Sequence, residues 1–416
     1  MTTGPTTTSC HQGERTPEGH DECPAPRLVV LGGTGRLVEA AHALGVDVVL
    51  VVDIDGDVPV QARVATHVLR TRVSDDDAVH EALAPLHAER PFSTVLSLTE
   101  AGLVPAARLR RRLGLPGNSV ETVEVLKDKC RMRALLDEQG LSPVSWASPR
   151  DAQELAAFCR EVGGPVILKP RDGAGSRAVH RVLAPRDAEA AWDSFLRSGG
   201  TDATAEEFLE GPEVSVESFT HRGRHHVLAV TDKIVDAHFV ELGHTMPSRL
   251  PTDVTAAVTA LVEGVLDAIG LAEGPAHTEV KVTPSGPRVI ESHDRIGGDR
   301  IRVLLQIALG VDLPTATVTC ALGLGPAPAP ALDVARGAAV RFVTAAPGPV
   351  RRVEVPTVTS PWEARVDVHV GDVVRPVRRS GDRLGYVIAD GADADEAARE
   401  ADSLLDRVAI VTRAGE

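Results

Sequence analysis

At 416 residues, 43% of them hydrophobic, the chain is long enough for two or three domains or subdomains and can bury a sizeable core. A formal net charge of -15 argues against a general nucleic-acid or anionic-membrane partner, but leaves a small charged substrate open, because local charge decides that. Five cysteines at 10, 23, 130, 159 and 320 show no C-x-x-C spacing, no stretch nears the roughly 18 apolar residues of a spanning helix, and the first residues lack a secretion signal, so free thiols in a reducing cytoplasm are expected.

Residues 1–26 are rich in Thr, Gly and Pro, which predicts a disordered tail. RLVVL at 27–31 predicts a buried strand, glycines 32, 33 and 35 a turn, the run to Leu44 a helix and 46–52 a second strand. That order opens a parallel, doubly wound sheet. A dinucleotide fingerprint beginning at Gly33 would need glycine at 38, where Val38 stands, so a structural turn is the better reading and a nicotinamide oxidoreductase a weak rival. A helix over 75–88, a strand at 94–98 and a helix over 101–113 continue the alternation.

Residues 120–140 predict one helix with Lys129 early in it, and 152–162 another. A strand at 166–168 leads into Lys169, then a glycine-bearing turn at 172–176, then a strand near 178–182. Strand–turn–strand without G-K-[ST] is no P-loop, yet such a loop can lay backbone N–H groups on phosphate oxygens. TAEEFL at 204–209 predicts a short edge strand, 213–219 and 227–235 two more, ELGHTMP at 241–247 a loop, and 253–269 an amphipathic helix.

Two β-prone runs then flank Pro284, Ser285 and Gly286. If the loop holds three residues, Thr283 faces Pro287 and Glu279 lies directly across from Glu291, on one face with Lys281 and His293. A two-residue loop would send the two glutamates to opposite faces. Facing carboxylates repel, so a cation is expected between them, and a hard divalent ion fits. Two solvated glutamates on an exposed hairpin are the plain alternative. A helix over 297–309, a Pro-rich linker at 323–330, short strands within 337–389 and a helix over 392–408 complete the chain. The five lysines, at 127, 129, 169, 233 and 281, stand against 39 arginines, so a lysine here hints at a compact point charge.

Lys129, Lys169 with its glycine loop, E-E-F-L-E-G-P-E at 206–213, T-E at 278–279 and E-S-H-D-R at 291–295 together resemble the ATP-grasp superfamily. The resemblance runs from Arg27 to the C-terminus and is most specific over 127–302. Within the superfamily, the H-T-E-x-K hairpin, the G-H-T-M-P loop and the arginine four residues after the second glutamate are similar to those of the L-amino acid (carboxylate–amine) ligases. This implies an α/β (α+β) ATP-grasp fold: a Rossmann-like N-terminal domain over 27–120, an ATP-grasp domain over 121–322 with a small lid at 145–210, and a β-rich C-terminal subdomain over 323–416. It also implies that ATP, with Mg²⁺ or Mn²⁺, activates a carboxylate as an acyl phosphate, which an amine attacks to give an amide, ADP and phosphate. Amino acids are the expected substrates.

By the same resemblance, Lys129 and Lys169 contact the nucleotide's phosphates, and Gly173, Gly175 and Ser176 close over them. Glu206 accepts from the adenine amino group, Leu209 meets the ring edge through its backbone, and Glu213 holds the ribose. Glu279 and Glu291 bind metal, joined by His293 where the superfamily commonly carries asparagine. Arg295 steadies the acyl phosphate, His244 donates to the oxyanion, and Glu241 receives the substrate's ammonium. Asp299 and Arg300, one helical turn past Arg295, are expected at the acceptor pocket. The alternatives are an ATP-grasp carboxylase or formate-using enzyme and a non-catalytic nucleotide-binding module. Neither nucleic acid nor membrane is an expected partner, and a homodimer is expected because related enzymes are often dimers.

Overall fold

The computed structural model describes residues 25–173, 175, 177–329 and 336–413. The tail expected over 1–26 falls almost entirely outside the described residues, as do Cys10, Cys23, Ser176 and the last residue of the expected linker.

The first strand, β1 (Arg27–Leu31), is buried along its length and runs through a glycine turn into α1 (Gly35–Ala43). Gly32 holds φ +89, and a side-chain carbon there would lie 2.2 Å from Thr99 Oγ1, so close packing fixes this glycine. Then come β2 (Asp47–Asp53), β3 (His67–Thr71), α2 (Asp76–Glu89), β4 (Thr94–Leu96) and α3 (Leu103–Leu113). The strands form a parallel sheet in the order β3-β2-β1-β4. The sequence pattern missed β3, which is largely exposed and lies at the edge of the sheet, paired to β2 alone.

The single helix expected over 120–140 is two, α4 (Val120–Lys127) and α5 (Lys129–Glu138). Asp128 stands between them in extended backbone and caps α5, accepting from the N–H groups of Cys130 and Arg131 at 3.0 and 3.1 Å. The break makes Lys129 the first residue of a new helix. A second sheet follows from β5 (Trp146–Ala147), α6 (Ala152–Val162), β6 (Val166–Pro170), β7 (His180–Val182), α7 (Ala188–Arg197) and β8 (Ala203–Glu207). Its order is β5-β8-β6-β7, so β8 is an inner strand and not the edge expected for TAEEFL.

The largest sheet is built from β9 (Glu213–His221), β10 (Arg224–Val235) and β11 (Glu241–Met246), then, after α8 (Thr252–Ile269), β12 (Glu273–Thr283) and β13 (Gly286–His293). Past α9 (Ile301–Leu309) and α10 (Leu313–Ala321) come β14 (Gly337–Val343), β15 (Gly348–Glu354), β16 (Glu363–Val366), β17 (Val373–Val374), β18 (Gly385–Gly391), α11 (Ala394–Asp406) and β19 (Ala409–Thr412). Eight strands pair in the order β13-β12-β9-β10-β11-β14-β18-β16, and β17-β15-β19 form a small sheet of their own. Three of the C-terminal strands thus extend the central sheet. The loop expected at 241–247 is instead strand β11: β10 and β14 flank it and satisfy its backbone groups, which outweighs its weak strand propensity. The helix expected from 297 begins at Ile301, which leaves Asp299 and Arg300 in a loop with left-handed backbone.

The β12–β13 hairpin reaches its register by another route than expected. Thr283 pairs with Gly286 and Val282 with Pro287, so the turn holds two residues and not three. Alone, that would separate the glutamates. The pairing then shifts by one residue at Ile290, a bulge that turns the later side chains back, and Glu279 lies opposite Glu291.

Strand periodicity sets what lies on each side of this sheet. Val214, Val216, Val230, Val280 and Val289 pack on Met132 and Leu136 of α5 and on Val258, Val262 and Val265 of α8. Alternate residues Glu213, Ser215, Glu217, His277 and Glu279 carry the polar chemistry to the other face. There α9 and α10 close the far end against Phe219, Leu228, Met246 and Ile388. Among the described residues, no single helix is long and apolar enough to cross a membrane.

Candidate active site

Between the β5-β8-β6-β7 sheet and the polar face of the large sheet lies a cavity of about 300 Å³. Lys129, Lys169, Gly173, Gly175, Glu206, Leu209, Glu213, Glu241, His244, Glu279, Glu291 and Arg295 all line it. Residues far apart in sequence are therefore brought to one cavity. Ile167, Val179, Phe208 and Ile290 add an apolar stretch suited to a flat ring.

At one end two cations grip one carboxylate. Arg133 grips Glu206 with two hydrogen bonds, 2.9 and 3.0 Å, and Lys169 adds a third at 2.8 Å. Burial alone would raise the Glu206 carboxyl, but Arg133 and Lys169 outweigh it and bring it to about 2. Burial lowers the Lys169 ammonium, with Glu206 opposing and Arg133 and Lys129 adding to the fall. A polyphosphate would relieve this crowding of positive charge. Glu206, expected to accept from the adenine amino group, thus has both oxygens engaged by protein cations. Lys129 donates to the Gly173 carbonyl and pairs with Glu291, both at 2.9 Å. Asp128 clasps Arg171 at 2.6 Å, which fastens the start of α5 to the glycine turn.

This arrangement makes stability sensitive to acid. Glu206 sits below its unfolded value of about 4.5, so its contribution is present above that pH and is lost as pH falls through about 2. The shift corresponds to about 3 kcal/mol. Glu206→Gln should destabilise the protein at pH 7 by about 3–5 kcal/mol, because two buried cations lose their partner. It should also flatten the pH dependence of urea unfolding between pH 4.5 and 2. An unchanged acid slope in the variant would remove the Arg133–Glu206–Lys169 cluster as its source.

At the middle of the cavity stands a lysine that the motif reading left out. Lys233 of β10 is buried and its ammonium lies 2.6 Å from Glu213, 2.8 Å from Glu279 and 3.7 Å from Glu241. Burial opposes its charge, but Glu279, Glu213 and Glu241 outweigh burial and raise its pKa well above the ordinary range. One sequence signal pointed to it, its being one of five lysines; in the structure it pairs across from His244. Lys281 holds the other oxygen of Glu213 at 3.1 Å, so the carboxylate expected to hold a ribose faces two ammonium groups.

Glu279 and Glu291 are both held below the usual carboxylate range: burial raises each, and Lys233 for the first and Lys129 for the second outweigh it. His277, also missed, bridges Glu217 at 2.8 Å and Glu279 at 3.4 Å; burial lowers its pKa, yet these carboxylates lift it to about 9. Among the described residues, no three His, Cys, Asp or Glu side chains form a ready metal cage. The donor set, two facing carboxylates, fits a hard divalent ion that takes its remaining oxygens from substrate phosphates and water. His293 does not line the cavity. It lies behind, 3.2 Å from Glu291 and 3.3 Å from Glu100, so it braces a candidate metal carboxylate and is not itself placed as a ligand.

The other end is lined by Arg295, His244 and Glu241. Arg295 is held by Glu100, a residue that the sequence reading passed over and that also accepts from Lys127 at 2.8 Å. Burial raises Glu100, but Arg295, His293 and Lys127 bring it to about 2. His244 is buried against the edge of Phe342, and neither ring nitrogen has a hydrogen-bond partner among the described residues. Asp299 comes no nearer than 3.5 Å to it, being committed to Arg383 at 2.5 and 2.8 Å. Glu241 accepts from Ser380 at 2.9 Å. Its pKa is raised, chiefly by burial, with Lys233 opposing and Glu279 and Asp299 adding to the rise.

Comparisons with known proteins agree with this geometry. Residues 162–302 match the ATP-grasp domain family, 38–117 the ATP-grasp N-terminal domain and 341–413 the L-amino acid ligase C-terminal domain 2. The chain is 29% identical over 256 residues to the uncharacterized protein y4rH of Sinorhizobium fredii, covering 59% of this chain and 52% of that one. It is 26% identical over 262 residues to the alanine–anticapsin ligase of Bacillus subtilis, covering 57% and 56%. The chain spans about half the length of the curated relatives it matches. A crystal structure of an L-amino acid ligase from Bacillus licheniformis shares the fold with a TM-score of 0.77 at 22% identity, over 94% of this chain and 99% of that one. The chain is an ATP-grasp protein that resembles the L-amino acid ligase branch of the carboxylate–amine ligases.

Proposed function

We propose that the protein is an ATP-dependent ligase that activates an amino-acid carboxylate as an acyl phosphate and joins it to an amine, forming an amide with ADP and phosphate. The observation that carries this is one cavity with phosphate-type cations at one end, facing carboxylates in the middle and, at the other, an arginine and a buried histidine whose ring nitrogens make no hydrogen bond among the described residues. The alanine–anticapsin and L-amino acid ligase relatives support the same reading.

Lys129, Lys169 and the turn at Gly173 and Gly175 hold the polyphosphate, the apolar stretch the base. A divalent ion, when bound, would neutralise charge on the terminal phosphates. Glu279 and Glu291 would hold that ion, and Lys233 keeps Glu279 charged and fixed until it arrives. Arg295, steadied by Glu100, offers a planar fork to the carboxylate as it takes the phosphoryl group. His244 supplies a donor for the oxygen that gains charge when the amine attacks. Glu241, with its raised pKa, receives the ammonium of the acceptor and takes its proton. No covalent protein nucleophile is required, because alignment and charge neutralisation carry phosphoryl transfer.

The test is a matrix of amino-acid pairs with ATP and Mg²⁺, with nucleotides separated and products weighed. ADP and phosphate should form together with an amide whose mass equals both substrates less water. AMP and pyrophosphate during turnover would rule out the acyl-phosphate route.

A further inference from the structure

Gly298, Asp299 and Ser380 line the candidate active site and also line an adjoining open depression of about 430 Å³. Arg300 and Arg302 line the depression as well. Arg300 immediately precedes α9 and Arg302 lies in its first turn, where the helix dipole disfavours cations and where no acidic residue stands. Among the described residues, neither guanidinium has a hydrogen-bond or ion-pair partner; Arg300 rests 4.0 Å over the ring of Tyr386. Burial lowers the pKa of Arg302, and nearby Arg36 and Arg300 lower it further, against weaker pulls from Asp312 and Glu363. Nearby carboxylates have other partners: Asp312 accepts from the Thr315 hydroxyl at 2.8 Å, Glu363 from the Tyr386 hydroxyl at 2.9 Å, and Asp367 from Arg365 at 2.6 Å. Asp299 and Arg300 hold φ of +51 and +69, a region that residues with side chains seldom adopt.

Crowded guanidinium groups at the wrong end of a helix destabilise the free protein, and a bound anion would offset both effects. We propose that this depression is an anion site that recognises a charged side chain on an amino-acid acceptor, a carboxylate or phosphate carried in addition to the α-carboxylate. The shared wall at Gly298, Asp299 and Ser380 lets one molecule reach both places, its amine beside Glu241 and its anion at Arg300 and Arg302. The inference rests on the ligase reading, since it names the acceptor of that reaction.

The experiment compares matched acceptors with ATP, Mg²⁺ and a carboxylate substrate chosen by hydroxamate formation: glutamate with glutamine, and O-phosphoserine with serine. In at least one pair, kcat/KM for the anionic member should exceed that for the neutral one by roughly ten- to a hundredfold. Glutamate preference assigns a carboxylate and phosphoserine preference a phosphate; either supports the site. Arg302→Gln and the double change Arg300→Gln with Arg302→Gln should bring the preference toward one. No preference in either pair, or a preference that the folded variants keep, overturns the inference; the wild-type ratios decide if a variant does not fold. Hydroxylamine, a small neutral acceptor, separates the two ideas. No hydroxamate with any amino acid sinks the ligase reading and this site with it, whereas hydroxamate without anion preference sinks the site alone.

Discussion

Changing Glu291 to glutamine should slow ATP-dependent amide formation by on the order of 10³-fold, with the fold retained. One oxygen of Glu291 lies 2.9 Å from Lys129 and the other 3.2 Å from His293, while its carboxylate faces Glu279 across the hairpin. Glutamine keeps the shape and an oxygen for Lys129 but removes one of the two charges available to a divalent ion. Repulsion between the facing glutamates is relieved at the same time, which favours the fold. Against that, the buried Lys129 loses its counter-charge, so stability should drop by about 3 kcal/mol. The checks are ADP formation titrated against Mg²⁺ and urea unfolding of the same sample. Half-maximal rate should require much more Mg²⁺ in the variant. A wild-type rate at wild-type Mg²⁺ would detach Glu291 from the metal.

The order of strands and helices and most of the cavity wall were legible in the sequence, because apolar alternation and local motifs encode them. What was not legible depends on pairing at a distance. ELGHTM has no strong preference, and only the flanking β10 and β14 make it a strand. The hairpin is the sharper lesson. Glu279 and Glu291 do face each other, but through a two-residue turn and a bulge at Ile290, and no local signal marks that bulge. Asp128 could have been read as a helix start inside the 120–140 run, since Asp before a fresh helical turn is an ordinary cap. Lys233 and Glu100 belong to no quoted motif, and each acts through partners from 20 to 195 residues away only once the fold is formed: Lys233 meets Glu213 and Glu279, and Glu100 meets Lys127, His293 and Arg295.

Arg295 and His244 should fail in different ways when changed, and the difference separates activation from amide formation. Arg295 is a planar group gripped by Glu100, donating also to the Ile296 carbonyl at 3.1 Å. Arg295→Lys keeps the charge but loses the fork, so it should reduce acyl-phosphate formation and every later step together. His244 has two buried ring nitrogens that make no hydrogen bond among the described residues, with Asp299 3.5 Å from Nε2, and a buried polar group left open in a cavity wall is expected to meet a substrate. His244→Ala should leave activation partly alive and slow the amine's attack by about 10²–10³-fold. The intermediate then leaks to water, and phosphate release outruns amide formation. His244→Gln, which retains a donor, should recover part of the lost coupling and guards against mistaking a packing defect beside Phe342 for a chemical one. The measurement is the ratio of amide to phosphate in each variant, with hydroxylamine added in parallel to trap the activated carboxylate. Arg295→Lys should lower hydroxamate and phosphate alike, whereas His244→Ala should lower amide far more than phosphate. A one-to-one ratio at normal speed in His244→Ala would leave the histidine as part of the wall beside Phe342 and Arg383, with no share in the chemistry.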